Sequence, residues 1–75
     1  MIERYTGTNC TGSDGDQNRT LTLDNLFLTN DNSFNIFVNG LFLHLNTDYT
    51  VSHHVTETVI TFVNVLWNEN IIAVE

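Results

Sequence analysis

The chain has 75 residues, and its nine acidic side chains against two basic ones, Arg4 and Arg19, give a formal net charge of −7. That balance argues against nucleic acid and against an anionic bilayer as partners, because both are held by clustered Lys and Arg. A chain this short hides only roughly 60–65% of the surface its unfolded form exposes, and the single cysteine, Cys10, closes no internal disulfide, so association with copies of itself is the economical route to a well-covered core.

Asn and Thr occur eleven times each and proline is absent, while 41% of the residues are apolar. Thr favours strands and Asn favours turns, so the composition predicts short strands joined by tight turns. The expected fold is all-β, a small antiparallel sandwich or barrel of about six strands with Greek-key or meander connections.

In chain order, residues 1–19 read as an N-terminal arm, mobile or docked on a partner. Its start, Met1-Ile2-Glu3-Arg4-Tyr5, lacks the basic residues and apolar run of a signal peptide. The stretch 6–18 holds three glycines and no apolar period. The domain proper is expected over 20–75. Thr20-Leu21-Thr22-Leu23 alternates and predicts a strand that continues through Leu26-Phe27-Leu28, with a bulge or turn at Asp24-Asn25. Thr29-Asn30-Asp31-Asn32 follows as a turn.

Asn39-Gly40 between β-formers is the strongest local signal, because a type I′ turn needs positive φ at both central residues. The implied register sets Val38 against Leu41, Ile36 against Leu43 and Phe34 against Leu45 on one apolar face. The other face carries Phe37 against Phe42 and Asn35 against His44. Two phenylalanines form a large apolar area on what should be the solvent side, which makes Phe37, Phe42 and His44 the candidate interface and Asn39 and Gly40 its structural hairpin. Further strands are expected at 49–52, 58–63 and 71–74. The loop 64–70 should plug one end of the core with its apolar residues, and Trp67 should cap that end. Strands apolar on both faces need cover on both.

The order Val38-Asn39-Gly40, Asp48-Tyr49-Thr50-Val51, Ile60-Thr61-Phe62 and Ile71-Ile72-Ala73-Val74 resembles a β-module of bacteriophage tail fibres and other virion structural proteins. The resemblance covers roughly half of the chain. Members of that family often carry Gly before Asp-Tyr and Gly-Asp before the last strand, where this chain has Asn46-Thr47 and Glu69-Asn70. The resemblance implies a homo-oligomeric assembly role in a virion, as a trimer or hexamer, without a cofactor. An extracellular or soluble cytoplasmic setting is the alternative location.

Asp14, Asp16 and Asn18 alternate like the start of a calcium loop, but Arg19 and Asn25 stand where an EF-hand needs Gly and Glu. His53-His54, with His44 elsewhere, suggests a metal, yet neighbouring strand residues point to opposite faces. Cys10 has no adjacent cation in sequence to activate it. Ser13, Ser33 and Ser52 sit in expected turns, and His53 with Glu57 is the one acid–base pair in view, so no enzyme is expected. Trp67, Tyr5, Tyr49 and the Phe37/Phe42 pair are the aromatics that a carbohydrate- or receptor-binding module would present, which is the alternative function.

Overall fold

A computed structural model describes residues 3–24 and 34–75. Among these residues seven short strands form: β1 Glu3–Thr6, β2 Thr20–Thr22, β3 Ile36–Val38, β4 Leu41–Phe42, β5 Tyr49–His53, β6 Thr58–Phe62 and β7 Ile71–Val74. They make two antiparallel sheets, one ordered β1-β7-β3-β4 and the other β2-β6-β5. This is the expected all-β, sandwich-like architecture, with one strand more than the sequence suggested. Period-two alternation places Leu21, Ile36, Ile60, Ile72 and Val74 inward at 1% exposure or less. Each such side chain stabilises the fold by roughly 1.5–3 kcal/mol relative to leaving it wet. Tyr49, Phe62, Phe34 and Leu66 complete the core.

The hairpin forms at the expected place. Asn39 has φ 51 and Gly40 has φ 83, and Phe37 faces Phe42 while Val38 faces Leu41. Asn39 also extends the sheet, its side-chain Oδ1 accepting the Ile71 N–H at 2.8 Å while its backbone N–H donates to the Ile71 carbonyl at 2.7 Å. The pairing then ends earlier than expected. Leu43 N–H still reaches the Ile36 carbonyl at 2.9 Å, but Asn35 pairs with Glu75 on the β7 side instead of with His44. The Asp48 carboxylate captures the His44 N–H at 2.9 Å and, with Asn46 at φ 67, turns the chain toward β5. The expected Asn35–His44 and Phe34–Leu45 pairs therefore do not form.

The N-terminal stretch differs most from expectation. Residues 3–6 are not part of an arm; they form an edge strand of the larger sheet, with Glu3 opposite Val74 and Thr6 opposite Ile71. A 3-10 turn follows at Gly7–Asn9, and residues 10–19 fold back onto the 66–70 loop. The physical reason is Arg19, described below. The continuation of β2 through 26–28, the bulge at Asp24-Asn25, the turn at 29–32 and Ser33 involve residues outside those described.

Candidate assembly face

The two sheets differ in what they show to solvent. On the outer side of the β2-β6-β5 sheet, Thr20, Thr61 and Thr50 stand in one cross-strand row, and Thr22, Val59 and Ser52 in the next. That surface is hydroxyl-rich. On the outer side of the β1-β7-β3-β4 sheet the corresponding row is Arg4, Ala73, Phe37 and Phe42. Ile71 and Glu75 flank Ala73 on the same side by the strand period.

Phe37 and Phe42 meet edge to face, with centroids 5.5 Å apart and rings at 63°, a favoured aromatic geometry. The His44 ring continues the cluster at 5.2 Å and 89° from Phe42. Phe42 remains 49% exposed, Ile71 50% and Leu41, at the sheet edge, 73%. Arg4, Phe37, Asn39, Ile71, Ala73 and Glu75 line a shallow hollow of about 480 Å³ on this face. Phe37, Phe42 and His44 are thus brought together on this face. Arg4, Ile71, Ala73 and Glu75 were missed, although the alternation of Ile71, Ala73 and Glu75 against inward Ile72 and Val74 carries the signal.

A second cluster explains why the N-terminal segment is ordered. Arg19 is 2% exposed and its guanidinium donates four hydrogen bonds of 2.8–2.9 Å, to the carbonyls of Thr11, Leu66 and Gly7 and to Asn68 Oδ1. All four acceptors are neutral, so the planar fork acts as a clamp between two loops. The loops are also tied directly. Gly15 N–H donates to the Leu66 carbonyl, Leu66 N–H to the Asp16 carbonyl and Gly7 N–H to the Asn70 carbonyl, at 3.0, 3.1 and 3.0 Å. Gly7 lies so close that a Cβ there would stand 2.0 Å from the Trp67 carbonyl oxygen. The Trp67 ring lies over Gly15, whose φ is +84. Trp67 therefore rests on the folded-back loop, 50% exposed, and it is Leu66 that plugs the core.

The remaining candidates take structural parts. Asp14 Oδ1 accepts the Asn68 N–H at 2.7 Å and Asp16 Oδ2 accepts the Ser13 N–H at 2.9 Å, while Asn18 occupies a left-handed bend at φ 59. Among the described residues no three His, Cys, Asp or Glu side chains are grouped to hold a metal ion. His53 closes β5 opposite Thr58, and His54 Nε2 lies 3.2 Å from Ser52 Oγ. The Glu57 carboxylate accepts from Thr22 Oγ1 at 3.4 Å. Cys10 is buried, and burial pushes its thiol pKa up against the opposing pull of Arg19. Burial likewise raises the phenol of Tyr49 and that of Tyr5, whose hydroxyl donates to Glu3 Oε1 and accepts the Asp24 N–H at 2.8 Å. A hollow at one end of the sandwich, lined by Val38, Leu43, Phe62 and Leu66 among others, measures about 80 Å³. Ordinary small-molecule pockets are roughly 300–1,000 Å³.

No family model matches the chain, and neither a curated protein nor a solved structure gives a significant match.

Proposed function

We propose that this chain is a non-catalytic structural module of the virion type, a tail, fibre or capsid-associated element that works by self-association into a trimer or hexamer. The observation that carries the reading is the contrast between the two outer faces: one sheet shows threonine and serine, the other shows Phe37, Phe42 and Ile71. Fully covering a half-exposed Phe42 and Ile71 contributes on the order of 1 kcal/mol each, an incentive repeated on every copy. The sequence resemblance to virion β-modules supports the setting.

The test is the native mass in dilute solution by light scattering coupled to size exclusion, for the wild type and for the double variant Phe37→Ser, Phe42→Ser. The expected result is an assembly of discrete mass that the double variant dissolves without loss of its β circular dichroism. A wild type that stays at 8.5 kDa across the concentration range overturns the proposal.

A second reading, a carbohydrate- or receptor-binding module, is favoured by one feature: Trp67 is held over Gly15 and half its surface faces solvent. Aromatic platforms of this kind are how flat apolar sugar faces are gripped. Quenching of Trp67 emission by members of a glycan panel supports that reading, and an unchanged spectrum across the panel removes it.

A further inference from the structure

The chain has two cationic side chains of the Lys and Arg type, and Arg19 is enclosed in its clamp. Arg4 is therefore the one exposed guanidinium of a strongly acidic protein, and it stands at the rim of the apolar face. Glu75 lines the same hollow, and among the described residues Arg4 and Glu75 form no ion pair with each other. One face thus carries an apolar centre with a positive and a negative group on either side of it.

We infer that this face pairs with the same face of a second copy across a two-fold axis, so that Arg4 of each copy meets Glu75 of the other. The inference rests on the self-association reading above and specifies its contact. The register supplies the geometry. Arg4, Ala73 and Phe37 lie side by side on β1, β7 and β3, and Glu75 lies two residues beyond Ala73. With strands ~4.8 Å apart and same-side residues ~6.7 Å apart along a strand, an axis lying in the interface and passing obliquely between Ala73 and Phe37 exchanges the Arg4 and Glu75 positions. Phe37 then faces its own counterpart. An isologous contact has this self-complementary form, each group meeting its partner twice. A hexamer of dihedral symmetry contains such a contact and a cyclic trimer lacks it.

The experiment is sedimentation equilibrium on the full chain at protein concentrations up to ~1 mM, since one face of a molecule whose extents are 29 × 22 × 22 Å offers an interface at the small end, where pairing is weak. The variants are R4E, E75R, the double variant R4E/E75R, and an equimolar mixture of the two single variants. Each single reversal sets like charges against each other at two places and is expected to weaken association about tenfold or more, given up to ~1 kcal/mol per exposed pair. The double variant and the mixture restore opposite charges at both places and are expected to associate like wild type. Wild-type association that none of the reversals changes overturns the two-fold contact and leaves the self-association reading standing. A wild type that is monomeric throughout overturns both. Should a reversal unfold the chain by circular dichroism, R4Q and E75Q address the same contact: about threefold weaker association supports it, and undiminished association overturns it.

Discussion

Replacing Arg19 by methionine keeps most of the aliphatic stem and removes the guanidinium, so it isolates the clamp. Four hydrogen bonds of 2.8–2.9 Å are lost, each on the order of 1.5–3 kcal/mol for a charged donor. Two effects offset that loss. Taking a cation out of water costs several kcal/mol, which the variant recovers, and the Gly7 and Leu66 carbonyls keep the N–H groups of Cys10 and Gly15. The net destabilisation is about 2–4 kcal/mol. A domain of this size has a total stability of roughly 4–11 kcal/mol, so the variant unfolds at a far lower urea concentration. Urea titration followed both by far-ultraviolet circular dichroism and by emission of Trp67, the single tryptophan, measures it. Trp67 rests on the clamped loop, so its emission shifts to the red before the strand signal is lost. A variant within 1 kcal/mol of wild type, with unshifted emission, refutes the argument that the guanidinium holds the two loops together.

Gly7→Ala places a methyl 2.0 Å from the Trp67 carbonyl oxygen with backbone on both sides, and is expected to cost about 2–4 kcal/mol in the same titration. Gly40→Ala is the comparison, because no atom lies within 4 Å of its added Cβ and only the positive φ is penalised, by about 1 kcal/mol. Alkaline stability follows from Cys10 and the tyrosines. The folded state raises the phenol pKa of Tyr5, chiefly by burial and then through Glu3, so above the ordinary value of about 10 the native chain binds more protons than the unfolded one. That contribution is fully present below pH 10 and is lost as pH rises beyond it. Burial likewise raises the Cys10 thiol above its ordinary value, so thermal midpoints should begin to fall near pH 9 and fall more steeply above 10, and Tyr5→Phe should flatten the steeper part.

The hairpin was legible because Asn39-Gly40 states its turn type locally and the period of two then fixes Phe37 against Phe42. Strands β5, β6 and β7 were legible as short β-branched and aromatic runs set off by turn residues. What escaped was non-local. β1 has one inward apolar residue, Tyr5, and four residues with a single anchor look like a loop until β7 is known to lie beside them. Arg19 within a run of Gly, Asp and Asn reads as solvated, and nothing nearby announces a carbonyl forty-seven positions away at Leu66. Gly7 and Gly15 likewise looked like flexibility but are close approaches. The missed half of the candidate face has the same origin: Arg4, Phe37 and Ala73 adjoin only after β7 enters between β1 and β3.

That placement of β7 has a bearing on how the polypeptide folds as it is made. The larger sheet is ordered β1-β7-β3-β4, so two of its three ladders involve the strand that follows all the others in the chain. During synthesis β1 and β3 emerge with their central partner still missing, whereas the β2-β6-β5 sheet can close as soon as β6 is out. Pairing between such distant segments is slow and leaves strand edges open in the meantime. Until the larger sheet forms, the inward side chains Leu21, Tyr49, Ile60 and Phe62 of the threonine-faced sheet remain uncovered. The ladders that join β7 to β1 and β3 form last, and they complete both the cover over that core and the face that carries Phe37, Phe42 and Ile71.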